Sequence, residues 1–289
     1  MNSEVPCMPE TKQNPIDLQT LQYIQVRMLK ILADMCDSNG LRYYLASGTL
    51  LGAVRHQGPI PWDDDLDIQL PRPDFMKLLD ILRTGALPDD LEYSWLDSPS
   101  HIVPFLKVFF KDSLVFESKV EDVHRESKIW VDVFSIDGLP SEEKHLGRTY
   151  AISKQLRNFL YTGIVKPSSL RGVEKLGTMF LKPLSKAIGA HRIAIWLDRF
   201  SRRFDFDQAD MIGNLAWGEH VGEALEKNKY LPVVDLQFGE DAFHCPIGYD
   251  EHLKNLYGDY MALPPEGERR SHLSKYYLIG HGSVSGKNE

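Results

Sequence analysis

The sequence lacks any apolar run near the roughly 20 residues needed to cross a bilayer. Its longest runs, Ile102–Leu106 and the stretch from Lys128 to Phe134, stop far short, so no membrane span is expected. Between Met1 and Gln13 there is no apolar segment of the kind a secretory signal carries, and a cytoplasmic protein is expected. Cysteine is scarce. Cys7, Cys36 and Cys245 are widely separated without C-x-x-C spacing, which excludes the usual zinc and dithiol patterns and leaves reduced, structural thiols. No internal repeat is present. Positive charge is in deficit, with 33 Lys and Arg against 41 Asp and Glu, and the net charge of −8 argues against a nucleic-acid partner.

What is present is an ordinary globular composition. The 289 residues are 43% hydrophobic and 26% charged, enough for one large core or two smaller lobes. The charge is unevenly spread. From Ser141 to Phe204 there are thirteen Lys and Arg against four acids, a segment of +9 inside a remainder of −17. Such a segment suits an anionic acceptor or peripheral contact at the inner face of a membrane, or is simply a set of solvated helix faces.

Apolar positions from Leu18 to Met35 recur at helical spacing and predict a helix over Asp17–Ser38, stopped by Asn39-Gly40. Leu41–Ala46 reads as a strand, Ser47-Gly48-Thr49 as a small-residue turn, and Thr49–His56 as a short helix. Alternation over Asp65–Leu70 predicts a half-buried strand with Asp65, Asp67 and Gln69 on one face. A helix follows over Pro73–Thr84, then strands at Tyr93–Leu96, Phe105–Phe110, Val115–Ser118 and Ile129–Phe134. From Ser141 to Gly222 the pattern turns helical, with breaks at Lys166–Ser169 and near Pro183. A β-like stretch over Tyr230–Phe243 and a helix at Tyr249–Tyr257 complete it, with a loose tail after Lys275. The reading is an α+β fold. It divides into a flexible terminus at 1–16, a core at 17–140, a basic helical region at 141–222, and a part at 223–289 that completes the core.

Chemistry concentrates in Pro61-Trp62-Asp63-Asp64-Asp65-Leu66-Asp67. Carboxylates at i and i+2 of a strand project from one side and can share a divalent cation, and hard cations such as Mg²⁺ take oxygen ligands. The Ser47-Gly48-Thr49 turn opens a helix, where free N–H groups favour an anion. Asp132, among the apolar neighbours Val131 and Val133, would be costly as an unpaired carboxylate and so expects a metal or cation. Phosphoryl transfer needs these three elements: a cradle, cations, and an acid that accepts the attacking hydroxyl's proton. Asp65, Asp67 and Asp132 are the candidate catalytic residues. Arg55 and Lys107 are candidate phosphate contacts, or a structural bridge and an outward strand residue.

Leu45–His56 (LASGTLLGAVRH) and Ile60–Ile68 (IPWDDDLDI) resemble the LicD family, and Tyr257–Met261 with Leu263–Pro265 is similar to its C-terminal signature. The resemblance covers roughly Asp17–Leu139 and Phe243–His272. It implies a nucleotidyltransferase-like mixed β-sheet core flanked by helices, the basic helical region being an addition. It further implies transfer of phosphocholine, or a related alcohol or polyol phosphate, from a CDP-linked donor to a hydroxyl of a cell-surface glycan. That acceptor would be of the lipopolysaccharide or teichoic acid type, free or lipid-linked, and CMP would be released. Within this pattern Asp65 and Asp67 would hold Mg²⁺, or Mn²⁺ in its place, with Asp63 and Asp132 as further candidate ligands. Gly48 and Thr49 would face the donor phosphates, and Ser47, where the family often has glycine, adds a hydroxyl. Two rivals remain: a D-x-D sugar transferase, which would release a nucleoside diphosphate, and a non-catalytic cation- or glycan-binding module.

Overall fold

The computed structural model describes residues 12–117, 126–165, 172–269, 271 and 273–280. Cys7 and the expected break at Lys166–Ser169 lie outside them. Helix α1 (Leu18–Ser38) begins where the Asp17 carboxylate accepts the Thr20 N–H at 2.8 Å, an N-cap that satisfies one orphan donor. It ends at Asn39 and Gly40, the latter with φ +63°. Leu21, Met28, Leu29 and Leu32 are fully buried along it, and so is the polar Gln25.

The main sheet has seven strands among the described residues. Its axis is β8 (Trp130–Leu139), every residue of which is buried. On one edge β8 pairs in parallel with β3 (Asp67–Pro71), which pairs antiparallel with β2 (Tyr44–Leu45). Along its other edge β8 pairs first with β5 (Leu106–Phe110), backed by β4 (Leu91–Ser94), and further along with β9 (Met211–Gly213), backed by β10 (Leu225–Glu226). Helix α2 (Ser47–His56) joins β2 to the aspartate loop, and α3 (Arg72–Arg83) follows β3. The α+β class is therefore what the chain adopts.

The strand expected from Asp65 begins only at Asp67. The chain before it is held as a loop from outside: Gln22 Nε2 donates to the Ile60 and Asp63 carbonyls at 2.9 and 2.8 Å, and Gln25 Nε2 to those of Asp64 and Trp130 at 2.9 and 3.1 Å. With those carbonyls committed to α1, the ladder cannot reach back to Asp65.

The basic region forms three helices, α4 (Glu143–Ile164), α5 (Gly172–Ile188) and α6 (Ala190–Ser201). Pro183 does not break α5 but lies inside it. Neighbouring side chains tie that turn to α4, Lys182 Nζ donating to the Val165 carbonyl at 2.6 Å and Ser185 Oγ to that of Phe159 at 2.8 Å. Helix does not continue to Gly222, because β9 joins the main sheet. A buried ion network fastens the helices to the core. Arg72 grips Asp137 through two bonds of 2.6 and 2.9 Å and reaches Asp198 of α6 at 3.0 Å.

The β-like stretch resolves into α7 (Lys227–Tyr230) and a hairpin of β11 (Val233–Phe238) and β12 (Asp241–Pro246), followed by α8 (Tyr249–Tyr257). Within the segments expected to be loose, the described residues 12–15 and 276–280 are strands, while 1–11 and 281–289 lie outside the described residues. β1 (Lys12–Pro15) pairs with β13 (Leu273–Gly280), which also pairs with β6 (Ser113–Glu117), itself next to β7 (Glu126–Ser127). Tyr276 and Leu278 of β13 pack against the main core, so the tail gains both backbone partners and apolar cover. Cys36 and Cys245 are buried, unpaired thiols, pushed up to about 12 by burial.

Candidate active site

Strand register assembles the acidic cluster. The parallel β3–β8 pairing sets Asp67 beside Asp132, and the antiparallel β5–β8 pairing sets Lys107 opposite Asp132. Lys107 Nζ lies 2.8 Å from Asp132 Oδ1, and Trp130 Nε1 donates to Asp132 Oδ2 at 3.1 Å. The same ammonium sits 4.1 Å from the Trp130 ring centroid, a cation–π contact that helps fix it. Burial pushes Asp132 up to about 6, with Lys107 pulling the other way. Asp67 is held well above the usual carboxylate range, first by burial and then by the charges of Asp65, Asp132 and Asp63. Four carboxylates thus crowd one lysine, and each disfavours ionisation of the next.

The aspartate loop closes over the start of α2. Asp63, Asp64 and Asp65 each offer an oxygen, all within 4.8 Å of one another. Gly48 lets Asp63 approach, since a Cβ there would stand 2.8 Å from Asp63 Oδ2. Ser47 lies at the mouth of the helix with φ +46°, a left-handed conformation that favours glycine. Asp64 is buried and accepts the Ser271 hydroxyl.

Two expected contacts are placed elsewhere. The Thr49 side chain is buried and its Oγ1 accepts the Asp67 N–H at 2.7 Å, so it positions the first residue of β3 instead of facing an open phosphate site. Arg55 donates to the carbonyls of Tyr260 and Ala262 at 2.8 and 3.3 Å, a structural bridge to the C-terminal signature. Trp62 packs against the core beneath Arg269.

A cavity of about 330 Å³ joins the cluster to the helical region. Ser47, Asp65, Asp67, Asp132 and Phe134 line it. From α4 come Arg157 and Tyr161, from the segment after β9 come Asn214, Trp217, Glu219, His220 and Glu223, and from α8 come Leu256 and Tyr257. Arg157 holds that segment, donating to the Trp217 and Gly218 carbonyls at 2.5 and 2.6 Å. The Trp217 ring lies 5.4 Å from that of Tyr161 and 4.8 Å from that of Phe105. Glu223 is pushed up to about 7, chiefly by burial, with the charge of Glu219 adding and Arg157 opposing. Tyr257 is raised first by desolvation and then by the charges of Glu223, Asp67, Asp63 and Glu219. A larger depression of about 710 Å³, lined by Asp210, Lys227 and Pro232 among others, holds none of the aspartate cluster.

Arg157, Tyr161, Trp217, Glu219, His220 and Glu223 are not among the sequence candidates, and Tyr257 enters there only through the C-terminal motif. The one local signal was Trp217-Gly218-Glu219-His220, an aromatic beside glycine, acid and histidine that fits no helical periodicity.

The chain is similar to known proteins along most of its length. Residues 40–131 match the model described as LicD/FKTN/FKRP, nucleotidyltransferase domain. The lipopolysaccharide cholinephosphotransferase LicD of Haemophilus influenzae is 28% identical over 274 residues, covering 91% of this chain and 99% of that protein. An uncharacterised protein of Rickettsia prowazekii is 48% identical over 56 residues, or 19% of this chain and 21% of its own. The matched span 40–131 holds Ser47, Gly48, the aspartate loop, Asp67 and Lys107 and ends one residue before Asp132. The chain thus resembles the LicD family, most specifically over residues 40–131, which match the model of the LicD/FKTN/FKRP nucleotidyltransferase domain.

Proposed function

We propose that this chain is a transferase that moves phosphocholine from CDP-choline to a hydroxyl of a cell-surface glycan of the lipopolysaccharide or teichoic acid type, releasing CMP. The observation that carries this reading is one cavity lined both by the carboxylates of Asp65, Asp67 and Asp132 and by the rings of Tyr161, Trp217 and Tyr257 with Glu219 and Glu223. Similarity to a lipopolysaccharide cholinephosphotransferase supports the donor headgroup and the acceptor.

Asp65 and Asp67, with Asp63 beside them, fit a Mg²⁺ ion. They are hard oxygen donors: oxygens of Asp63 and Asp65 lie within 4.8 Å of each other, and after desolvation it is the charges of Asp65, Asp132 and Asp63 that oppose ionisation of Asp67, a repulsion a cation would relieve. When bound there, Mg²⁺ or Mn²⁺ would neutralise charge on the donor pyrophosphate. Asp132 suits the general base better than a third ligand, because the Lys107 ammonium already holds one of its oxygens and opposes a second cation. The acceptor oxygen bonds to the distal phosphorus, the bond from that phosphorus to the bridging oxygen breaks, CMP leaves, and the hydroxyl proton passes to Asp132. Trp217, Tyr161 and Tyr257, with Glu219 and Glu223, provide the rings and negative charge that attract a quaternary ammonium.

The test is incubation with CDP-choline, CDP-ethanolamine and CDP-ribitol in Mg²⁺ with a lipopolysaccharide or teichoic acid acceptor. The expected result is CMP release that is greatest with CDP-choline. Nucleoside diphosphate release from a nucleotide sugar, or no CMP from any donor, would overturn the reading.

A further inference from the structure

Over residues 178–188, helix α5 turns its large apolar side chains outward. Met179, Phe180, Leu181 and Leu184 are 55%, 82%, 47% and 55% exposed, with Pro183 and Ala187 exposed beside them. On the side that meets α4, Ser185 is fully buried against the Phe159 carbonyl and Lys182 reaches the Val165 carbonyl, with Ile188 at the helix end packed on the apolar cluster of α4 and α6. Gly163 of α4 permits this approach, since a Cβ there would stand 2.7 Å from Ser185 Oγ. Small and hydrogen-bonding residues at a helix contact, with large apolar ones facing outward, are the pattern of helices that meet lipid. A water-facing helix of a globular protein has the opposite arrangement.

Charge names the occupant of this face. Exposed Lys144, Arg148, Lys154, Lys186, Arg192 and Arg199 lie on the same three helices, within the segment of net +9. That sign complements anionic headgroups, and basic residues beside a large apolar face mark a helix lying in a bilayer interface. Among the described residues no helix is long and apolar enough to cross a membrane, which leaves an in-plane position.

We propose that α5 docks on an anionic lipid bilayer, with Phe180, Leu181 and Leu184 among the acyl chains and the lysines and arginines of α4–α6 at headgroup level. Arg157 and Tyr161 of α4 line the transfer cavity, so the docked face and the cavity share one helix. The inference stands apart from the proposed reaction, since vesicle binding and CMP release are measured separately.

The test is flotation of the full chain with vesicles of phosphatidylglycerol and phosphatidylethanolamine, against vesicles of phosphatidylcholine alone. The chain is expected to float with the anionic vesicles, and the double variant Phe180→Glu, Leu184→Glu to lose at least tenfold in bound fraction while keeping its circular dichroism. A Phe180→Trp variant, which leaves the apolar face intact, is expected to gain a blue-shifted emission on anionic vesicles. Absence of flotation by the unaltered chain, or flotation of the double variant equal to it, overturns the proposal. So does a concentration-dependent dimer, broken by the double variant, in a chain that binds neither vesicle, because the face then belongs to a second copy.

Discussion

Lys107 and Asp132 face each other across the β5–β8 register, with the ammonium 2.8 Å from the carboxylate. Burial raises Asp132 to about 6 and Lys107 holds it down. Replacing Lys107 with Met should therefore raise Asp132 further. A base must be deprotonated to act, so the acid limb of the kcat–pH profile is expected to move to higher pH. An unmoved limb would remove Asp132 from that role.

Asp67→Asn removes one charge from a buried cluster of like charges. Without metal the variant is expected to melt above the unaltered chain, and the rise in Tm that Mg²⁺ gives the unaltered chain should vanish. A ligand at 100 times its Kd stabilises by about 2.7 kcal/mol, so the shift is readily measured by calorimetry. CMP release should fall by two or more orders of magnitude, on the order of the loss of a metal-held or acid–base group. Full turnover, or an unchanged Mg²⁺ shift, would count against metal binding by Asp67.

Trp217→Leu should raise KM for CDP-choline while changing KM for CDP-ribitol little. Cation–π contacts contribute about 0.5–2 kcal/mol, or roughly 2- to 30-fold in affinity. Equal effects on both donors would place Trp217 outside headgroup recognition.

Arg72→Met leaves the carboxylates of Asp137 and Asp198 buried with their partner removed, although Arg202 still reaches Asp198 at 2.7 Å. Breaking a buried pair from one side costs about 3–5 kcal/mol. Urea titration should show a loss of that order, and a loss under 1 kcal/mol would make the network incidental.

His252 is 1% exposed and neither ring nitrogen finds a hydrogen-bond partner. Burial lowers it to about 4 from 6.5. The neutral ring is the folded form, so the unfolded chain takes up a proton first. Stability is fully present above pH 6.5 and falls as the pH drops toward 4, by on the order of 3 kcal/mol at 1.36 kcal/mol per unit. His252→Leu should remove that part of the acid sensitivity without lowering stability at pH 7, because an unpartnered polar atom is replaced by an apolar one. A variant as acid-sensitive as the unaltered chain would refute the assignment.

Local signals were sufficient where one element governs its own shape. Apolar spacing located α1 and α8, capping and glycine marked the ends of α1, and the burial of Asp132 followed from its apolar neighbours on β8. The signals failed where a distant partner decides. Gln22 and Gln25 turn the expected strand at Asp65 into a loop, and Lys182 and Ser185 hold α5 straight through Pro183. Residues 276–280, expected to be loose, are a strand because β1 and β6 supply its hydrogen bonds.

For the site, the sequence by itself determined which residue types were available: a small-residue turn, a run of aspartates and a later acid, in an order that resembles one family. Only the tertiary structure decided their company. Register between strands far apart in sequence set Asp67 and Lys107 against Asp132, and the chain's return after β9 brought Trp217, Glu219 and Glu223 to the same cavity. Neither relation has a sequence period, because each depends on which backbone edges pair and on which surfaces must be buried together. The aspartate run is written in the chain, but its place in the site is a property of the sheet.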